Sequence, residues 1–87
     1  MKLTDCRKEV QDFAIQMEIV LRDNDHKGGW QDMADEEIIA RILEETGEII
    51  TTKACITGNN PEKECIDVAN FCMMLYDNMN NRRKVNS

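Results

Sequence analysis

The sequence predicts a small all-α protein, an antiparallel helical bundle with three main helices per chain that is completed by oligomerisation. Apolar residues recur three or four positions apart in three long segments, which is the period of an amphipathic helix. Turn-forming residues cluster at only two places, 28–29 and 58–61. A chain of 87 residues buries only about 60% of its unfolded surface, so a lone copy is marginally stable and association is expected. We assign 1–80 to one helical domain and 81–87 to a basic tail.

The first helix is predicted over about residues 3–22. Its apolar stripe consists of Leu3, Cys6, Val10, Phe13, Ala14, Met17, Val20 and Leu21. Ile15 and Ile19 lie off this stripe, one turn apart, on the side expected to face solvent. A second apolar strip on a short helix suggests contact with a partner helix, plausibly from another subunit.

The second helix is predicted to begin near Asp35, where Glu36 and Glu37 interact favourably with the helix dipole in the first turn. Helical spacing continues through Ile38, Ile39, Ile42, Leu43, Thr46, Ile49 and Ile50, and we expect the helix to end between about 55 and 58. The β-branched run 49–52 makes a strand the alternative there, but the unbroken spacing favours a helix.

The third helix is predicted to begin with Asn60 as its N-cap and Pro61 at the first helical position. Its central stripe consists of Val68, Cys72, Leu75 and Met79, widened by Cys65, Ala69, Phe71 and Tyr76. Because further apolar residues surround much of the helix, we expect it to be buried on most sides, which again points to oligomer contacts. The basic run 82–84 is expected to fray.

Charge and composition exclude several classes of protein. Seventeen acidic and eleven basic residues give a net charge of −6, which argues against a nucleic-acid partner because phosphate contact requires clustered Lys and Arg. A hydrophobic content of 41% is too high for a disordered acidic tail. No apolar stretch approaches the roughly 20 residues that cross a bilayer, and the charged N-terminus is unlike a signal peptide. We therefore expect a cytoplasmic protein with no membrane partner.

The cysteines are expected to be reduced core thiols rather than disulfides or zinc ligands. They are Cys6, Cys55, Cys65 and Cys72, without a CxxC pair, and the sequence has one histidine. A structural zinc site needs four closely spaced Cys or His ligands, which this pattern does not supply.

The acidic residues are concentrated in the middle of the chain. Residues 31–67 hold ten acidic and three basic residues, a net charge of −7. Within this stretch two pairs are separated by three residues, Glu45 with Glu48 and Glu64 with Asp67, so each pair occupies one helix face. Both pairs border the apolar stripe of their helix, where an unpaired carboxylate is costly. Either pair alone is also compatible with an ordinary solvated surface.

A short connection between the second and third helices predicts antiparallel packing that brings the two pairs together. Four converging carboxylates repel one another, and the usual resolutions are raised pKa values or a bound divalent cation. Oxygen ligands suit Mg²⁺, Mn²⁺ or Ca²⁺ rather than zinc. A helical di-iron site would need Glu-x-x-His pairs, and neither pair ends in His.

The spacing of these carboxylates resembles the motif of a known protein family. Glu44-Glu45-Thr46-Gly47-Glu48, fifteen intervening residues and Glu64-Cys65-Ile66-Asp67 match EExxE…ExxD. The chain resembles the MazG-like branch of the all-α nucleoside triphosphate pyrophosphohydrolases, related to dCTP pyrophosphatases and dimeric dUTPases. The likeness extends from about His26 to Asn78, and the segments HKGGWQDM and DVANF are similar to small phage-type members.

The resemblance implies a Mg²⁺-dependent hydrolase that converts an NTP or dNTP to the monophosphate and pyrophosphate, with Mn²⁺ as a possible substitute. It implies that Glu45, Glu48, Glu64 and Asp67 are the metal ligands. Glu44, together with Glu45, is the candidate catalytic residue, and its implied role is to orient or deprotonate water. Because the chain lacks the fourth or fifth helix of longer relatives, a homodimer or homotetramer is expected to complete the pocket.

Candidate substrate-binding residues surround this motif. Trp30 is the candidate for base stacking, helped by His26, and the alternative for Trp30 is to cap the end of the bundle. Phe71 and Asn70 follow Asp67 by about one turn and are candidates for contacting sugar and base, with core packing and backbone hydrogen bonding as the alternatives. The candidate phosphate-binding cations, each with a solvated surface role as its alternative, are Lys27, Lys53 and Lys63, joined by Arg82-Arg83 toward a neighbouring subunit.

Two other classes of function stay open at the level of sequence. A non-enzymatic acidic helical protein, mimicking DNA or inhibiting a partner, accounts for the net charge but not for carboxylates beside apolar positions. A nucleotide-binding module without turnover would use the same four ligand positions as the enzyme.

Overall fold

The computed structural model describes residues 1–53 and 61–86 and confirms the all-α fold. Three long helices, α1 (Lys8–Asp23), α2 (Asp35–Lys53) and α3 (Pro61–Asn86), are accompanied by two short 3₁₀ helices, Leu3–Asp5 and Asp25–Lys27. In the described ranges no helix combines the length and apolarity needed to cross a membrane.

The first helix is shorter than its apolar spacing predicts. Leu3 belongs to the separate 3₁₀ helix, and the extended backbone of Cys6 and Arg7 separates that turn from α1. Two ion pairs between residues four apart, Lys8 with Asp12 and Glu18 with Arg22, stabilise α1 on its exposed face. The helix ends at Asp23, and the side chain of Asn24 donates a hydrogen bond to the carbonyl of Val20 at 3.0 Å.

A short irregular segment, residues 28–34, connects the second 3₁₀ helix to α2. Gly28 has a φ of +91°, in the region that favours glycine, and its conformation ends the 3₁₀ helix. The amide of Met33 donates to the carbonyl of Trp30 at 3.0 Å and closes a turn. The chain then enters α2 at Asp35, where the sequence places the start of the second helix.

The packing centres on α3, which contacts both α1 and α2, and its interface with α2 is the more extensive. Asp35 at the start of α2 pairs with Arg82 near the end of α3, whereas Glu48 near the end of α2 lies beside Glu64 near the start of α3. The two helices are therefore antiparallel, as predicted. Pro61 is the first residue of α3, also as predicted, while Asn60, its predicted cap, lies outside the described residues.

The predicted fraying of the basic run was wrong. Residues 81–86 continue α3, and Arg82 is held by two hydrogen bonds to the carboxylate of Asp35, at 2.7 and 2.8 Å. Because α2 and α3 are antiparallel and α3 remains helical through residues 82–84, Arg82 lies next to the start of α2.

A single chain leaves much of the apolar surface of its helices exposed. Ile38 is the one fully buried large hydrophobic residue among the described side chains, while Tyr76 and Met79 of α3 are 70% and 49% exposed. Within one chain α1 and α2 cover only part of the circumference of α3, so its burial on most sides, which was expected from oligomer contacts, stays a prediction. Cys6, Cys65 and Cys72 are free thiols, as predicted, but they are half-buried or exposed rather than in the core, and Cys55 lies outside the described residues.

Candidate metal centre and adjoining cavity

Three carboxylates converge where α2 and α3 meet. One carboxylate oxygen from each of Glu45, Glu48 and Glu64 lies within 4.8 Å of the other two, and we call these three residues the carboxylate cluster. Glu64 is buried, with 6% of its surface exposed, and Glu45 and Glu48 are half-buried. One oxygen of Glu45 and one of Glu64 are buried without a hydrogen-bond partner. A buried carboxylate oxygen in that condition is costly, which makes the cluster a candidate cation site.

The electrostatics of the cluster favour protonation in the absence of a cation. The pKa of Glu45 is raised to about 8, first by burial, then by a hydrogen bond between its carboxyl group and that of Glu64, and by the neighbouring negative charges. The pKa of Glu48 is also raised, chiefly by a hydrogen bond with Glu64. Burial raises the pKa of Asp67, although the ammonium group of Lys63 opposes that change.

The remaining residues of the sequence motif lie beside the cluster rather than in it. Asp67 is close enough for its charge to act on Glu45, but its carboxylate pairs with Lys63 at 3.6 Å and lies outside the set of mutually close oxygens. Glu44 is exposed on the surface of α2 and pairs with Arg41 at 3.5 Å. The structure thus brings together three of the four predicted ligands and places the fourth at the edge.

A cavity of about 430 Å³ adjoins the carboxylate cluster, and Glu45 belongs to both. Its volume lies within the range of small-molecule sites, roughly 300–1,000 Å³. Two aromatic rings, two methionines and two cationic side chains line it. The lining residues are Asn24, Lys27, Gly28, Gly29, Trp30, Met33, Arg41, Glu45, Phe71 and Met74.

Three of the predicted substrate-binding residues line this cavity: Lys27 and Trp30 from the connection between α1 and α2, and Phe71 from α3. His26 is exposed in the neighbouring 3₁₀ helix and outside the cavity lining. Asn70 is also outside it: the residue is buried, and its amide donates to the carbonyl of Met17 at 3.3 Å, so it ties α3 to α1. The side chain of Lys53 lies outside the described part of the structure.

Arg41 is a cavity residue that the sequence reasoning missed. It precedes Glu45 by four residues on α2, so both lie on the same helix face and reach the same cavity. That spacing was available in the sequence and would have identified Arg41 as a partner of the motif. Met33 and Met74, which complete the apolar wall, were also missed, because methionine at helical spacing is indistinguishable from ordinary core.

Trp30 is held in the cavity wall by two consecutive residues of α3, and we call Asp77 and Asn78 the tryptophan anchor. The indole N–H of Trp30 donates to Oδ2 of Asp77 at 3.0 Å. The side-chain amide of Asn78 donates to the carbonyl oxygen of Trp30, also at 3.0 Å. Asn78 is buried, with 9% exposure, so this second bond is protected from water.

No protein-family model, curated protein or solved structure matched this chain. The likeness to MazG-like enzymes consequently stays a prediction from the motif.

Proposed function

We propose that the protein is a Mg²⁺-dependent nucleoside triphosphate pyrophosphohydrolase. The observation that carries the proposal is that Glu45 belongs both to a cluster of three carboxylates and to the wall of a cavity with aromatic and cationic lining. A metal-binding group at the edge of an organic pocket is the arrangement needed to position a phosphate chain for hydrolysis.

The donor atoms of the cluster suit Mg²⁺ or Mn²⁺. All of them are carboxylate oxygens, which are the preferred ligands of these cations, and the two buried oxygens without partners supply unmet acceptor capacity. Glu45, Glu48 and Glu64 would hold the cation, with Asp67 adjoining them. When bound, the cation neutralises phosphate charge and makes water a stronger nucleophile.

The cavity lining suits the other parts of a nucleotide. Trp30 and Phe71 offer flat apolar surfaces of the kind on which nucleobases stack. Lys27 and Arg41 supply positive charge for phosphate oxygens. The pair between Arg41 and Glu44 is half-exposed at both ends, so its net worth is only about 0–1 kcal/mol and it does not prevent Arg41 from binding phosphate.

The chain's own residues have separable roles in this proposal. Glu45 and Glu48 would give up the protons that their raised pKa values favour, and together with Glu64 they would supply carboxylate oxygens to the cation. Glu44 is the candidate to orient or deprotonate the attacking water. Met33 and Met74 exclude bulk water from one side of the cavity.

A DNA-mimicking acidic protein is disfavoured by the same geometry. A mimic presents its carboxylates to a partner, whereas Glu64 is 94% buried and the three cluster residues are turned toward one another. The protonation that this crowding favours also removes negative charge that a mimic would need.

We also propose that the functional unit is a homodimer or homotetramer. On α2, Ile39, Leu43, Thr46 and Ile50 follow the 4-3-4 spacing of a helix–helix seam, and Leu43 and Ile50 are 70% and 67% exposed. Ile15 and Ile19 on α1 are 53% and 46% exposed and supply the second apolar strip expected from the sequence.

Sedimentation velocity is expected to show an oligomer that Leu43→Lys converts to monomer. Glu37→Lys, on the same helix, should not dissociate it, and a monomeric wild type would contradict this proposal.

The enzyme proposal is tested by measuring pyrophosphate release from a panel of NTPs and dNTPs with Mg²⁺ and with EDTA. We expect release from at least one nucleotide, strictly dependent on the cation, and loss of it in Glu48→Gln. Glu36→Gln, which removes an exposed carboxylate in the first turn of α2, is the matched control and should retain activity. Nucleotide binding without release would instead indicate a binding module.

A further inference from the structure

The segment that carries Trp30 is attached to α3 at three points, although it connects α1 to α2. Asp77 accepts the indole N–H of Trp30, Asn78 donates to its carbonyl, and Arg82 pairs with both carboxylate oxygens of Asp35 at the end of the segment. The partners are 47 or 48 residues apart in sequence. The position of Trp30 is therefore determined by one face of α3 rather than by its neighbours in the chain.

The backbone that precedes Trp30 does not restrict it. Gly28 has a φ of +91°, and two successive glycines give the chain more conformational freedom than any other residues would. An indole on such a segment would sample several orientations unless a side-chain contact selected one. The hydrogen bond from its N–H to the carboxylate of Asp77 is that contact, and an anionic acceptor makes it stronger than a neutral one.

We propose that Asp77 is a positioning residue of the nucleotide site: it fixes the indole of Trp30 as a stacking wall of the cavity. This inference rests on the proposed function. Trp30 lines the cavity and Asp77 does not, so Asp77 acts on the ligand through the ring. Because Asp77 occupies the indole N–H, Trp30 offers the ligand its ring face and no hydrogen bond. Stacking tolerates any base, since every base has a flat π face, so this wall contributes affinity without choosing among bases.

The test uses the intrinsic fluorescence of Trp30, the one tryptophan in the chain. The purified 87-residue chain with Mg²⁺ is titrated with α,β-methylene analogues of ATP, GTP, CTP and UTP, which resist cleavage between the α and β phosphates. For every analogue that the wild type binds, Asp77→Ala is expected to raise Kd by about tenfold, which corresponds to 1.4 kcal/mol. Asp77→Asn keeps an acceptor oxygen and is expected to stay within about threefold of the wild type, since a neutral acceptor is weaker but present.

Two further variants separate positioning of the ring from general loosening of the fold. Asp12→Ala removes an exposed carboxylate that is paired with Lys8 on α1, and it should leave Kd unchanged. Asp35→Ala releases the start of α2 without touching the indole, and it should raise Kd less than Asp77→Ala does. Acrylamide quenching of free Asp77→Ala should exceed that of the wild type, because the indole is no longer held.

Each result bears on the proposal in one direction. Unchanged affinity in Asp77→Ala, an equal loss in Asp35→Ala, or a loss confined to one base would overturn it, as would a wild type that binds none of the analogues. Analogue binding without pyrophosphate release from natural nucleotides would contradict the enzyme proposal alone, because the fluorescence comparison needs no turnover. A uniform loss in Asp77→Ala that Asp77→Asn restores would establish the role of Asp77.

Discussion

The acidic residues at the two ends of the α2–α3 pair have opposite environments. At one end, the carboxylate cluster places three acidic side chains within 4.8 Å of one another and leaves an oxygen of Glu45 and an oxygen of Glu64 without partners. At the other end, Asp77 accepts the indole N–H of Trp30 and Asp35 receives two hydrogen bonds from Arg82. One end is electrostatically unsatisfied and the other is satisfied.

This difference separates a site from a structural contact. Paired acids stabilise the fold by the hydrogen bonds they make, whereas crowded and partly buried carboxylates destabilise it unless a proton or a cation intervenes. Proteins tolerate such local conflict chiefly at functional sites. The contrast therefore supports a functional role for the cluster that charge content alone would not, because both ends are acidic.

The largest effect is expected from Glu64→Gln in the cluster. Replacing this buried carboxylate with an amide removes a ligand atom, and hydrolysis should fall by about 100-fold or more. The melting temperature of the cation-free protein should stay the same or rise, because one of three repelling acids is gone. Activity assays and thermal melts in EDTA measure the two effects. A variant that loses stability but keeps its activity would place Glu64 among the structural contacts.

A smaller effect of the opposite kind is expected from Arg82→Ala at the other end. This substitution removes two hydrogen bonds to Asp35, a residue whose side chain is 27% exposed, and should cost about 1 kcal/mol. The melting temperature should fall by about 4–8 °C for a chain of this size. Arg22→Ala, which loses an exposed ion pair with Glu18, is the matched control, and its melting temperature should fall less. Equal losses in the two variants would show that the Arg82 pair is no more than a surface contact.

The pH dependence of stability should arise from the cluster. The pKa of Glu45 is about 8 in the folded chain and 4.5 ordinarily, so between these values the folded state holds a proton that the unfolded state has lost. Stability therefore falls as pH rises through this window. In EDTA the melting temperature should be higher at pH 5.5 than at pH 8.5, by about 4 °C for 1 kcal/mol. Glu45→Gln should flatten this dependence, and an unchanged slope in that variant would assign it to other groups.

Much of the fold and the central part of the site follow from the sequence. Helical spacing and the Asn-Pro and acidic start signals locate the beginnings of α2 and α3, since these signals act over a few residues. The cluster follows from two pairs at a separation of three and from the short connection that makes the helices antiparallel. Helical periodicity predicts both the helices and the carboxylate cluster, because it shows which residues share a helix face.

The rest of the site depends on contacts that leave no periodic trace. Trp30 and Asp77 are 47 residues apart, and a single long-range hydrogen bond gives no repeat from which it could be inferred. The sequence predicted that Asp67 joins the other three carboxylates. Its carboxylate instead pairs with Lys63, which lies four residues earlier on the same helix. The apolar stripe of α3 correctly indicated a helix, and the apolar residues that α1 and α2 leave exposed are the ones expected to contact another subunit.

Calorimetric titration of the nucleotide-free protein with Mn²⁺ at pH 7 tests the central claim that the carboxylate cluster is a cation site. At that pH a carboxyl group with a pKa of about 8 is largely protonated, so binding should release about one proton per chain. The measured heat should accordingly differ between two buffers of different ionisation enthalpy. It should disappear in Glu64→Gln and persist in Glu36→Gln. No binding heat in the wild type, or an unchanged heat in Glu64→Gln, would contradict the assignment of Glu45, Glu48 and Glu64 as cation ligands, whereas the same heat in both buffers would contradict only the protonation of Glu45 at pH 7.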